Sequence, residues 1–195
     1  MDKKYKVLSQ LGDKGKEART FLVEDKFKCT YAGKQFRKNK STNKIIDEIN
    51  IQRKCALYFI SPKIVDYSLD SKYVIMETMD EHLYTFIARS GGLVGKSRQQ
   101  EIIRLFKTLD KIGVFQGDPN LLNYMLKDNK LYMIDFGSAK FIDAELIKSL
   151  KTKKPNIEIG LLGFILKMKE IGFSPTSYEH MLKYLSADNQ RIINI

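Results

Sequence analysis

The stretch from Val114 to Lys140 constrains this chain more than any other. Asp118 and Asn123 lie five residues apart in a segment holding Pro119 and Asn120, which is turn chemistry rather than helix. Two short apolar runs follow, Tyr124-Met125-Leu126 and Leu131-Tyr132-Met133-Ile134, joined by the polar Lys127-Asp128-Asn129-Lys130. That pattern predicts a β-hairpin with a tight polar turn. A hairpin returns the chain on itself, so Asn123 at its entrance and Asp135 at its exit should lie side by side. Asp118 rides on the same loop. Hard cations such as Mg²⁺ take oxygen ligands, often one or two carboxylates completed by phosphate and water. Asn123 and Asp135 offer such oxygens, and Asp118 is left to orient or deprotonate a hydroxyl. The plainer alternative is a hairpin flanked by turn-favouring Asp and Asn; the two motifs in this order are more specific than either alone.

Asp118…Asn123 followed by Asp135-Phe136-Gly137 resembles the catalytic and metal-binding loops of the eukaryotic-type protein kinase superfamily. The resemblance implies an α+β, two-lobed protein-kinase-like fold in one domain. It would have a five-stranded N-lobe over residues 1–79 and a reduced helical C-lobe over 80–195. Strands are expected at Tyr5–Leu11 and Thr20–Glu24, joined by a glycine-containing turn. Gly12, Gly15, Ala18 and Thr20 stand where the family's G-x-G-x-x-G-x-V loop covers nucleotide, with an extra residue between the two glycines. Cys29–Phe36 reads as a third strand whose alternation puts Ala32, Lys34 and Phe36 on one face. Ala32-Gly33-Lys34 resembles the family's A-x-K, which implies that Ala32 and Lys34 bind ATP. A helix capped by Ser41 or Thr42 should run to about Leu57, with Ile45, Ile46, Ile49, Ala56 and Leu57 as its apolar positions. Glu48, fourteen residues after Lys34, resembles the lysine-pairing glutamate, and Asp47 is its rival. Gln52 stands where an aliphatic is usual. Strands at Lys63–Tyr67 and Lys72–Met76 lead to Met76-Glu77-Thr78-Met79, where the resemblance implies adenine contacts from Glu77 and Met79. It adds Met125 to the nucleotide-binding set.

The second half should be mostly helical. A short helix is expected over Asp80–Ala88, with His82 at the surface. Ser97-Arg98-Gln99-Gln100 reads as a capping box opening a longer helix with a buried stripe of Ile102, Ile103, Phe106, Leu109 and Ile112, ended by Gly113. Gln116-Gly117 replaces the family's His-Arg, and Asn120 replaces a lysine of Ser/Thr-directed members. The A-P-E of an activation segment is absent from the sequence. Glu158-Ile-Gly-Leu-Leu-Gly163 resembles the D-x-W-x-x-G of a central helix, expected to be buried all round from Pro155-Asn156 to Met168. Ser174-Pro175 should open one last short helix. The likeness spans Tyr5 to about Ile171, in a truncated form similar to minimal kinases of bacterial effectors and viruses.

Composition narrows the function classes. The chain has 195 residues and a net charge of +11, but its lysines are spread out rather than interleaved with aromatics. Nucleic acid or an acidic surface is therefore a less favoured partner than the charge suggests, and Lys148–Lys154 is the best basic patch. Cys29 and Cys55 show neither disulfide-framework nor metal-ligand spacing. The most apolar run, Ile157–Leu166, is too short to span a bilayer and contains Glu158. A cytoplasmic location is expected, in a host cell's cytosol if the chain is viral or an effector. The kinase resemblance implies ATP with Mg²⁺, or Mn²⁺, and transfer to a protein hydroxyl, Ser/Thr by type. The departure at Gln116-Gly117 predicts no activation-loop phosphorylation, and the reading leaves room for an activating protein partner. Two alternatives stay open: a pseudokinase-type binding module and a small-molecule phosphotransferase.

Overall fold

β-Branched and aromatic residues shape the first part of the chain into an antiparallel sheet. In the computed structural model, which describes residues 4–12, 15 and 17–194, the chain divides into two units, Met1–Asp80 and Glu81–Ile195. The first unit carries β1 (Lys6–Leu11), β2 (Ala18–Glu24), β3 (Thr30–Phe36), β4 (Ile64–Ser68) and β5 (Tyr73–Met76), in the order β1-β2-β3-β5-β4. Period-two alternation gives the sheet two apolar faces. Ala18, Phe36, Val74 and Met76 pack with Ile45 and Ile49 of the single helix α1 (Thr42–Leu57), and Ala32 joins them. Val23, Tyr73 and Ile75 form the core of the opposite face, with Tyr5, Phe21 and Tyr31 against them.

The Ser41 side chain accepts the Lys44 N–H and caps α1. The buried positions of α1 are Ile45, Glu48, Ile49, Ile51, Gln52 and Cys55. This differs from the expected stripe at its C-terminal end, where Leu57 is 77% exposed. Helical spacing from Ile45 runs through Glu48 and Gln52, so the inward face includes two polar side chains with partners of their own. Gln52 donates from Nε2 to Pro62 O (3.1 Å) and reaches Met76 Sδ (3.5 Å).

The second unit opens with β6 (Glu81–His82), followed by α2 (Leu83–Arg89) and α3 (Lys96–Lys111). The helix expected from Asp80 thus starts later, because Glu81 and His82 pair with a strand of the hairpin. His82 is partly exposed, with its Nδ1 buried. The expected capping box is also absent. Gly95 is the N-cap of α3, and Gln99 lies buried, donating to Val94 O and Thr176 O and accepting from His180 N. Every apolar residue expected in the α3 stripe is buried.

β8 (Tyr124–Lys127) and β9 (Lys130–Met133) form the hairpin, turned by Asp128 and Asn129 at φ +49° and +59°, as a type I′ turn requires. The two-residue strands β7 (Val114–Phe115) and β10 (Lys140–Phe141) pair on either side of it in sequence. After α4 (Ala144–Leu150), a π-helical turn at Asn156–Gly160 runs into α5 (Leu161–Glu170). This segment is not buried all round, since Ile159 and Leu166 are exposed while Leu161, Phe164, Ile165 and Met168 face inward. Phe164 meets Tyr124 edge-on at 5.0 Å and Phe106 at 5.9 Å, tying hairpin, α5 and α3 into one core. Past a 3₁₀ turn at Pro175–Ser177, two short helices follow rather than one, α6 (Glu179–Leu182) and α7 (Ala187–Asn194). No helix among the described residues is long and apolar enough to cross a membrane.

Candidate functional site

Each unit carries its own group of candidate residues. In Met1–Asp80, β3 places Lys34 opposite Thr20 of β2 and Val74 of β5. Its ammonium pairs with Glu48 Oε1 on α1, so Glu48 rather than exposed Asp47 is the partner. The second oxygen, Oε2, takes Lys40 Nζ at 2.8 Å, and the same ammonium reaches Glu17 Oε2 at 2.7 Å. The Glu48, Lys40 and Lys34 side chains are 4%, 6% and 13% exposed, so this charged group is largely out of water. Desolvation offsets much of the attraction in such a group, which makes it an orienting device more than a source of stability. Lys40 was not legible as a site residue, because it closes a basic turn in the sequence. Its one signal is a position directly before the cap of a helix that buries a glutamate.

Other expected nucleotide contacts in this unit have clear local roles. Ala18 belongs to the sheet core, and its carbonyl would lie 2.9 Å from a Cβ at Gly15, so the chain passes close to itself there. Asp13, Lys14 and Lys16 of the expected loop lie outside the described residues. Ala32 pairs with Met76 across β3 and β5. The Glu77 N–H donates to Lys63 O (3.0 Å), so any adenine contact assigned to Glu77 falls to its carbonyl. Met79 is half-buried three residues further along the chain than Met76.

In Glu81–Ile195, the loop after β7 folds around Asp118. Asp118 Oδ1 accepts the Asn120 N–H (3.1 Å), the turn its sequence predicts, and Oδ2 accepts Asn123 Nδ2 (2.9 Å). With the amide nitrogen of Asn123 committed to Asp118, Oδ1 occupies the other branch of the amide. Ile134 N donates to Asn123 O (2.8 Å), so the hairpin does bring its entrance and exit together. Asp135 follows in a left-handed conformation (φ +61°), with its Oδ1 accepting the Gly137 N–H (3.1 Å). Phe136 is buried beside it and Asp135 is exposed. Met125 sits half-buried on β8, paired with His82 and Tyr132. Burial pushes the Tyr124 phenol well above its ordinary range, with the Asp118 charge adding to the effect, so this ring stays neutral under the loop.

Three residues hold the loop in place. Gln116 is buried and accepts the Asp118 N–H at Oε1 (2.7 Å). Gly117 has φ +78°, and a Cβ there would stand 2.6 Å from Ser138 O. A side chain there would have to displace the Ser138 carbonyl from a backbone that already favours glycine. Asn156, fully buried in the π turn, accepts the Gln116 N–H (3.1 Å) and donates to Val114 O (2.7 Å) and Asp110 Oδ1 (2.8 Å). The residue that reaches the loop from this helix is therefore Asn156, while Glu158 instead accepts Asn189 Nδ2. Gly163 completes the packing, since a Cβ there would meet Pro119 Cγ at 2.7 Å. Asn156 escaped sequence reading because its partners lie forty or more residues away.

The donor chemistry of Asn123 and Asp135 fits a hard cation, with one amide oxygen, one carboxylate and coordination places left for phosphate and water. Among the described residues no group of three or more His, Cys, Asp and Glu side chains gathers where a metal ion could sit. No family model matches this chain, and no curated protein matches its sequence.

Proposed function

We propose that the chain is an ATP-dependent protein kinase that transfers the γ-phosphoryl group to a protein hydroxyl, Ser/Thr by type. The observation that carries the reading is the Asn123 Nδ2–Asp118 Oδ2 contact of 2.9 Å, directly beside the hairpin exit that bears Asp135. It supports a carboxylate that would receive the acceptor hydroxyl next to an amide and a carboxylate whose oxygens would suit Mg²⁺. In this reading Lys34, oriented by Glu48, holds ATP phosphates, and Asn123 and Asp135 hold Mg²⁺. Mg²⁺ held there would supply charge neutralisation for the phosphates. The acceptor oxygen forms a bond to the γ-phosphorus as the bond to the β-phosphate oxygen breaks. Asp118 takes the hydroxyl proton, and ADP leaves. Positioned general-base help of this kind is worth roughly 10²–10⁴ in rate.

The test is phosphoryl transfer from radiolabelled ATP to protein by purified wild type, Asp118→Ala and Asp135→Ala, with nucleotide binding measured alongside. Asp118→Ala should keep Mg-ATP binding and lose transfer, and Asp135→Ala should lose the metal dependence of binding as well. Equal transfer by wild type and Asp118→Ala refutes the assignment. Turnover stimulated by a metabolite and not by protein would reassign the chain to small-molecule phosphotransfer. Binding without any turnover would make it a binding module.

A further inference from the structure

The group around Glu48 contains one cation more than a lysine–glutamate pair needs. Lys40 Nζ lies 2.8 Å from Glu48 Oε2 and 2.7 Å from Glu17 Oε2, and 4.7 Å from the centre of the Phe36 ring. An ammonium this buried, with two carboxylates and an aromatic face around it, is held in one place. The backbone that carries it is held too. Lys72 Nζ donates to Lys38 O (2.6 Å) and Lys40 O (2.8 Å), and Lys40 N donates to Arg37 O (3.1 Å). The same turn grips the end of the glycine-containing loop. Arg37 N donates to Glu17 O (2.9 Å) and Arg37 Nη2 to Gly15 O (3.0 Å).

We infer that Lys40 is a positioning residue that clamps α1, through Glu48, to the loop end at Glu17, and so steadies the carboxylate that Lys34 contacts. Lys34 holds only one Glu48 oxygen, and a carboxylate held at one oxygen can rotate away. Lys40 removes that freedom by taking the other oxygen. Because its second partner is Glu17, a shift of α1 and a release of the loop end become one event. The inference rests on the kinase reading for its consequence in phosphate binding, but the clamp itself is a property of the nucleotide-free chain.

The test uses the full chain as wild type, Lys40→Met, Lys40→Arg and Glu17→Gln. Glu17→Gln cuts only the loop end, at a side chain that is 60% exposed, and so guards against a misfolded Lys40→Met. Without nucleotide, amide exchange is read at Arg37 and along residues 46–51 of α1. Lys40→Met should speed exchange at both places about tenfold, Lys40→Arg should restore protection, and Glu17→Gln should release Arg37 alone. Unchanged Arg37 exchange in Lys40→Met overturns the clamp. With ligand, adenosine, ADP, ATP and inorganic tripolyphosphate are titrated in the presence of Mg²⁺. Lys40→Met should weaken ATP and tripolyphosphate by roughly ten- to a hundredfold while leaving adenosine within about twofold, because mispositioning acts on the phosphate end. An equal loss for adenosine and ATP shows a merely structural role and also overturns the inference. Failure of wild type to bind any adenine compound, with the exchange pattern intact, removes the kinase reading and leaves the clamp standing.

Discussion

Asn156→Ala should be the most damaging single substitution beneath the Asp118 loop. The amide makes three side-chain hydrogen bonds, to Asp110 Oδ1, Val114 O and Gln116 N, and the residue is fully buried. Truncation leaves the Val114 carbonyl and the Gln116 N–H buried and unmatched, whereas Asp110 keeps the backbone donors Asn156 N and Ile157 N. An orphaned buried polar group costs about 1–3 kcal/mol, so two orphans give roughly 2–6 kcal/mol. That is a large part of the ~5–15 kcal/mol of a typical domain. The control is Asn189→Ala, whose amide makes two bonds to Glu158 from a half-buried position and should cost only about 0.5–1.5 kcal/mol. Urea unfolding followed by far-UV circular dichroism gives both values. The Gln116 amide, followed by NMR hydrogen exchange, reports the local event, and its protection should vanish in Asn156→Ala only. A destabilisation no larger than that of Asn189→Ala, with the Gln116 amide still protected, would refute the assignment of Asn156 as the anchor of the loop.

Gly117→Ala should cost about 1–2 kcal/mol for the left-handed backbone, and about 1–3 kcal/mol more for forcing Ser138 O away from the new Cβ. Gly95→Ala, with open space around it and an ordinary φ, should stay under about 1 kcal/mol in the same thermal-unfolding series; equal costs would remove the steric reason for Gly117. Burial raises the Asp110 carboxyl above its ordinary 3.8, against the hydrogen bonds from Asn156 and Ile157 that pull it down. The folded state therefore holds this proton more tightly than the unfolded state. Its contribution to stability is complete below the ordinary value and is lost as pH rises through the raised one. Asp110→Asn should abolish that part of the slope, and parallel stability–pH curves for the two proteins would contradict it.

Local chemistry made the elements legible, and tertiary contacts supplied what the sequence could not disclose. Ser41 ahead of a helical period, or Asp128-Asn129 between two apolar runs, states its conformation within a few residues. Strand alternation fixes the face that Lys34 occupies, whereas Glu48 stood out from Asp47 only through the family resemblance and its distance of fourteen residues from Lys34. Ser97 shows the limit of such signals. A good capping pattern lost because Gln99 found better-defined partners at Val94, Thr176 and His180, two of them about eighty residues away. Gln52 and Asn156 were obscured in the same way. A buried polar side chain in an apolar run looks like a fault in the pattern until its distant partners are known. The coarse result, a five-stranded antiparallel sheet with one helix followed by a largely helical region, survived these errors because it depends on many residues at once.

The residues around Asp118 belong together physically. Gly117 leaves no side chain because Ser138 O occupies the space, so a charged group at that position is sterically barred. Gln116 beside it fixes the Asp118 N–H with a neutral amide oxygen, and Asn156 fixes Gln116 in turn. Neutral, buried hydrogen bonds of this kind do not respond to the arrival or removal of a phosphate, whereas an exposed cation would. The Lys40 clamp has the same character in the other unit, since both of its carboxylate partners are internal to Met1–Asp80.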